Sequence, residues 1–358
     1  MTFEEARAQF PVLERVAHLN AGTVGPLATR VYDAITREHR RALEHGRITR
    51  AMFDAYLEDR ARVRQGFADL LGVEPHTIGI TTSTTEGCNL VLAGLGLTNG
   101  DEVVTTDIEH FGVIGALAAS EATVRVARVL ERPAAEAYDA ILAEVTPRTK
   151  LVAVSHVSWV NGHVLPWREV REQTGIPILV DGAQSVGAIP VDPSGADFYT
   201  VSAQKWLCGP DLTGALYVRQ PDRLRVALPS YLVQREYDLA AATFEAHQDA
   251  RRFDTHFTPF TSIAGLLAAF EIHPEWRYER AAAVAARCRE LLRERFEVVT
   301  EPGHATLVSF RVDDAEATAL RLGERGVIVR DIPKTGLVRV SCGWWASDED
   351  LERLIAAL

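Results

Sequence analysis

The sequence predicts an α/β protein, with a mostly parallel sheet in a large domain and a smaller α+β domain after it. Two patterns carry that prediction. From Ile78 onward, short Val- and Ile-rich runs alternate with helical stretches. IGITTST precedes TTEGCNLVLAGLGL, GDEVVTT precedes a loop and helix, and VRVARVL, KLVAVSHV, PILVDGA, FYTVSAQ and TGALYV follow. Apolar strands without a polar face, spaced by helices, suit a parallel sheet covered on both sides. From about residue 240 the order changes to long helices (SIAGLLAAFEI, ERAAAVAARCRELLRER), shorter strands (EVVT, ATLVSFRV, LVRVSCG) and a terminal helix, DEDLERLIAAL. The expected division is a large domain over 15–245 and a small one over 246–358, with residues 1–14 packing on the latter.

Ahead of the sheet, residues 2–17 read as a short helix and HLNAGTVGPLATRV as a loop punctuated by Gly and Pro. Ala34 to Leu71 is helical in pattern until Gly72-Val73-Glu74-Pro75 breaks it.

Composition narrows the function. The 358 residues are 47% hydrophobic and carry a net charge of −11, an ordinary globular balance. The acidic excess argues against nucleic acid or an anionic membrane as partner. No apolar run reaches the roughly 18 residues of a membrane span. MTFEEARAQF is acidic and amphipathic, unlike a signal peptide, so the expected location is cytoplasmic. Four cysteines lie far apart with no C-x-x-C pair, which points to buried thiols and no metal site.

Lysine is scarce: Lys150, Lys205 and Lys334 are the only three. Lys150 sits in the polar turn PRTK and Lys334 in DIPKTG, both solvated settings. Lys205 instead follows a buried strand, where a lysine is costly unless paired or chemically used. Asp181 closes the preceding Val-rich strand, at the carboxyl edge where open α/β sheets bind ligands. An aspartate there also serves as a helix N-cap. Taken together, the pair is what pyridoxal phosphate requires. The lysine forms the Schiff base and later moves the α-proton, while the carboxylate keeps the pyridine nitrogen protonated. Ser83-Thr84-Thr85-Glu86-Gly87 links a strand to a helix and offers N–H groups and hydroxyls to a phosphate. Ser202 adds a hydroxyl beside Lys205. His110 and Phe111, just after a strand, offer a flat side chain to a ring face.

The combination VDGAQSVG, SAQKW-x-CGP-x-x-x-GALYV, STTEG, EHFG, SHVSWVNG and RVSCGWW resembles the class V aminotransferase (cysteine desulfurase-like) family, across nearly the whole chain. These are fold type I pyridoxal phosphate enzymes, so the resemblance implies the PLP-dependent transferase-like fold, with a seven-stranded sheet, and a homodimer. It implies Lys205 as the Schiff-base lysine, Asp181 as the partner of the pyridine nitrogen and Gln184 as a donor to the ring oxygen. Thr84, Thr85 and Ser202 fall on the phosphate cup and His110 on the ring-stacking position. Arg339 falls on the arginine that clamps the substrate carboxylate, for which a guanidinium has the right bidentate geometry. Thr258, in RRFDTHFTPFT, matches the hydroxyl lent to the neighbouring subunit's phosphate.

Departures from that pattern bear on the reaction. Desulfurases of the family carry an asparagine where this chain has Trp159, so that either Asn161 compensates or the contact is absent, and a histidine where it has Gln204. They also carry a loop cysteine about fifteen residues before the carboxylate arginine. Here that stretch reads GERGVIVRDIPKTGLVR, without a thiol to accept sulfur. Cystine C–S lyases and the lyases of ergothioneine biosynthesis share more of the local wording. The expected activity is therefore β-elimination from cystine or another S-substituted cysteine, giving pyruvate, ammonia and a sulfur product. An aminotransferase or amino-acid epimerase of the same family is the alternative.

Overall fold

The computed structural model describes residues 1–47 and 49–358. The chain begins with α1 (Phe3–Arg7) and a two-residue strand β1 (Ala17–His18). Where one helical stretch was expected from Ala34 to Leu71, there are two helices, α2 (Thr29–His45) and α3 (Arg50–Leu71). Gly46 ends α2 at φ 83°, a left-handed value that residues with a Cβ avoid.

The strands β2 (Ile78–Thr81), β3 (Glu102–Thr106), β4 (Thr123–Ala127), β5 (Thr149–Ser155), β6 (Ile178–Asp181), β7 (Phe198–Ser202) and β8 (Gly214–Val218) form one sheet in the order β2-β8-β7-β6-β5-β3-β4. Between them run α4 (Thr84–Leu95), α5 (Phe111–Ala118), α6 (Ala137–Ala143) and α7 (Trp167–Thr174). All neighbours are parallel except β8, which is antiparallel to both β7 and β2. The expectation of a mostly parallel seven-stranded sheet is met. Strands β2, β3, β6, β7 and β8 are buried along their whole length, which explains their unbroken apolar runs.

One consequence of this topology positions everything else. The carboxyl ends of β2, β7, β6, β5 and β3 open on a single edge, bringing Thr81, Ser202, Asp181, Ser155 and Thr106 to it. Polar residues at the ends of apolar strands thus collect in one place.

Residues 228–260 contain an exposed hairpin, β9 (Gln234–Asp238) with β10 (Thr243–Ala246). Then come α8 (Phe260–Phe270), α9 (Arg277–Arg293), β11 (Leu307–Arg311), α10 (Ala315–Glu324), β12 (Val327–Ile328), β13 (Arg330–Ile332), β14 (Leu337–Ser341) and α11 (Asp348–Ala357). Strands β11, β14 and β13 make a three-stranded antiparallel sheet, and β12 pairs in parallel with β1. The expected strand EVVT reduces to a single bridge from Val298 to Phe310. Near the amino terminus, Arg7 bridges to Asp350 at 2.8 Å, and Phe10 packs on Trp344 and Trp345, both buried.

A buried charge cluster fixes α3 against the sheet. Asp254 Oδ2 lies 2.8 Å from Arg60 and 2.7 Å from Arg64, and Oδ1 accepts from the Ile80 N–H at 2.8 Å. Burial alone would raise that carboxyl, but the two guanidinium groups hold it below the usual aspartate range. Removing one member of a buried ion cluster leaves charge without compensation. Asp254→Ala should therefore lose about 3–5 kcal/mol of stability, read as a fall in the urea midpoint.

Candidate active site

Asp181 ends β6 and is 2% exposed. Its Oδ1 accepts from the Ala183 N–H at 2.9 Å and from the Thr200 hydroxyl at 3.4 Å. None of the described hydrogen bonds uses Oδ2. Lys205 follows β7 in a turn pinned by Gly25, whose N–H donates to the Gln204 carbonyl at 2.8 Å. A Cβ on Gly25 would lie 2.1 Å from the Lys205 carbonyl, so only glycine permits that approach. Desolvation lowers the Lys205 ammonium to about 8, with Arg339 adding to the shift and Asp181 opposing it. Asp181 and Lys205 thus share one electrostatic environment, at adjacent strand ends.

Helix α4 offers a candidate anion site. Ser83 caps it by accepting from the Glu86 N–H, and Thr84 and Thr85 open its first turn. First-turn N–H groups have no partner within their own helix and attract negative charge. Thr84 is buried and Thr85 exposed. A Cβ on Gly112, in the first turn of α5, would lie 2.7 Å from Thr85 Oγ1, so two helix starts converge there. Glu86 stays engaged elsewhere, accepting from the Thr82 N–H at 2.6 Å and lying 2.7 Å from His256 Nδ1. Ser202 is buried and donates to Gln204 Oε1 at 2.8 Å.

His110 caps α5, its Nδ1 accepting from the Gly112 N–H at 3.2 Å. Burial first, then Lys205 and Arg339, lower its proton affinity, while Asp181 opposes them, and the balance favours the neutral imidazole. Its neighbour Phe111 is 74% exposed, so His110 is the ring turned toward Lys205. Gln184 is buried; its Nε2 donates to the Gly22 carbonyl at 2.8 Å and its Oε1 accepts from Trp206 Nε1 at 3.0 Å.

Arg339, on β14, is 1% exposed. Its Nη1 donates to the Trp159 carbonyl at 2.9 Å, its Nη2 lies 3.5 Å from Thr23 Oγ1, and its Nε is buried without a partner. No carboxylate lies within salt-bridge reach of it among the described residues. Burial and, secondarily, Arg330 lower it to about 9, still protonated at neutral pH. A Cβ on Gly22 would sit 2.7 Å from the guanidinium, so the loop over residues 20–25 closes against it.

Thr258 stands apart. It is buried beside Tyr56 and Arg60 and lines a groove of about 600 Å³ with Glu38, Met52 and Phe257. None of the residues around Lys205 lines that groove.

Sequence reading missed Arg330. It pairs in register with Arg339 across β13 and β14, and directly opposed residues of an antiparallel pair share a face. A hairpin reading of IVRDIPKTGLVRV, with Pro-Lys-Thr-Gly as its turn, would have found it. The structure also separates Trp159 from Asn161. The Trp159 ring meets His110 edge-on with centroids 5.1 Å apart, and its buried Nε1 has no partner. Asn161 Oδ1 instead accepts from the His163 N–H, beside Glu301 and Val299.

These donors fit a planar cofactor with a phosphate at one end and a basic nitrogen at the other. The set holds helix starts with hydroxyls, the buried Asp181 carboxylate, an amine of lowered proton affinity, and Arg339 Nε, which has no acceptor among the described residues.

Residues 19–354 match the aminotransferase class-V family, and the chain belongs to it. Isopenicillin N epimerase of Streptomyces clavuligerus is 29% identical, over 99% of this chain and 97% of its own length. A probable cysteine desulfurase of Xylella fastidiosa is 26% identical, over 99% and 94%. The cystine C–S lyase C-DES, solved with its reaction product cysteine persulfide, is 30% identical with a TM-score of 0.88, over 97% of this chain and 98% of that one. A mutant of C-DES with glycine covalently linked to the PLP cofactor has a TM-score of 0.87 at 30% identity, over 98% of both chains.

The lowered Lys205 gives a pH prediction. Neutral amine, the form that attacks an aldehyde, accumulates as pH rises through the folded-state value. Uptake of pyridoxal phosphate by the cofactor-free protein, followed by absorbance, should accelerate with a midpoint near pH 8 rather than near an ordinary lysine's. Because Asp181 raises Lys205, Asp181→Asn should move that midpoint lower.

Proposed function

We propose that this class-V enzyme, with pyridoxal phosphate as its cofactor, is a homodimeric C–S lyase that performs β-elimination on cystine or a related S-substituted cysteine. The observation that carries the reading is the pair of arginines. Arg339 and Arg330 share a face, and neither has an acid partner within salt-bridge reach among the described residues. Two guanidinium groups suit a substrate with two carboxylates, which cystine has, one on each half of the molecule.

Bound pyridoxal phosphate supplies the electron sink for the bond broken at the α-carbon. Asp181 would hold a proton at the ring nitrogen, and Thr84, Thr85 and Ser202 would hold the phosphate. Gln184 would offer its remaining Nε2 hydrogen to the ring oxygen, and His110 would offer a flat face to the ring. Thr258 would serve the phosphate of a second copy from its separate groove. Arg339 fixes the substrate α-carboxylate. Lys205 would take the α-proton as general base, and its low proton affinity keeps a useful share neutral near pH 8. The sulfur substituent would leave with its bonding electrons and pick up a proton, and water would hydrolyse the remaining three-carbon fragment to pyruvate and ammonia. No cysteine lies between Gly323 and Arg339, and all four cysteines of the chain are buried, which disfavours sulfur transfer to a protein thiol.

Similarity to isopenicillin N epimerase supports a second reading, amino-acid epimerisation, which begins with the same proton removal. Pyruvate separates them. Incubation with cystine should release pyruvate in proportion to enzyme; inversion of the α-carbon, or amino transfer to a keto acid, without pyruvate would overturn the lyase reading. Arg330→Ala should raise KM for cystine roughly 10-fold or more, the worth of a charge-assisted contact, and leave KM for S-methylcysteine nearly unchanged.

A further inference from the structure

The site buries a second acid that the proposed reaction does not use. Glu109 is 3% exposed, its Oε1 accepting from the Thr106 hydroxyl and its Oε2 from the Ser155 hydroxyl, each at 2.5 Å. Thr106 ends β3, and Ser155 ends β5 in register with Asp181 at the end of β6. Adjacent strands lie roughly 4.8 Å apart, so the Glu109 carboxyl sits one to two strand spacings from that of Asp181. Buried Cys88, on α4, is raised first by desolvation and then by both acids, which places the two carboxyls around a common neighbour. The groups that face Glu109 are Thr106, Ser155, Cys88 and Asp181, and no cation pairs with it among the described residues.

We propose that Glu109 is a positioning residue that acts through Asp181, adding a second negative charge behind the carboxylate that serves the ring nitrogen and strengthening its hold on that proton. The inference rests on the assignment of Asp181 and is independent of the leaving group. A carboxyl buried without a cation resists ionisation, and desolvation raises Glu109 to about 7, against the two hydroxyl donors and with a smaller push from Asp181. Above that pH the charge is present. Its charge behind Asp181 then favours a proton on the base that Asp181 serves, the ring nitrogen.

The test is a 15N NMR titration of the ring nitrogen in holoenzyme loaded with ring-labelled cofactor. Removing a nearby negative charge destabilises the protonated form, so Glu109→Gln should lower the midpoint by about half a unit to one unit. Ser155→Ala keeps the acid but removes one hydroxyl donor. Glu109 then holds its proton to higher pH, and the midpoint should fall by a smaller amount. A purely structural tie between β3 and β5 would lower thermal stability in both variants and leave both titrations in place; that result overturns the proposal. Asp181→Asn distinguishes the two layers. If it shifts the titration while Glu109→Gln and Ser155→Ala do not, only the role of Glu109 fails. If Asp181→Asn leaves the titration unmoved, the assignment of Asp181 fails and the proposal with it.

Discussion

A guanidinium taken out of water costs several kcal/mol unless something negative meets it. Arg339 is almost wholly buried, yet among the described residues it donates only to a backbone carbonyl and a distant hydroxyl. The protein around it is arranged to keep that charge available. The loop over residues 20–25 crosses it at a glycine, the Trp159 carbonyl takes one N–H, and the three-stranded sheet carries it to the mouth of the large sheet's carboxyl edge. Such a site is incomplete without an anion.

Charge on the two sides of the edge is unequal by design of the topology. Lys205, Arg339 and Arg330 gather where an amino acid would arrive, and each lowers the proton affinity of a neighbour. Asp181 and Glu109 lie at the ends of β6 and just beyond β3, among hydroxyls. A ring bound with its nitrogen at Asp181 would meet acid there and cations toward the substrate. That polarity favours drawing electrons from a bound amino acid toward the ring.

Much of this was readable in the chain. Asp181 and Lys205 stood out because an apolar strand rarely ends in a charge without use, and because three lysines left few rivals. The parallel sheet followed from unbroken Val-rich runs. Arg330 escaped notice because its strand is three residues long and looks like loop. Glu109 was hidden beside His110, since sequence distance says nothing of a hydroxyl arriving from β5. The break at Gly46 was masked by continuous helical periodicity on either side. The exposed hairpin at 234–246 lacks the alternation that marks a half-buried strand, because neither of its faces packs on a core.

The most direct test of the account is to find which amine holds the cofactor. Holoenzyme reduced with borohydride, digested and mapped by mass spectrometry should carry the phosphopyridoxyl group on Lys205 alone. Labelling of Lys150 or Lys334 in its place, or a reduced protein without any label, would contradict the site around which the rest is built.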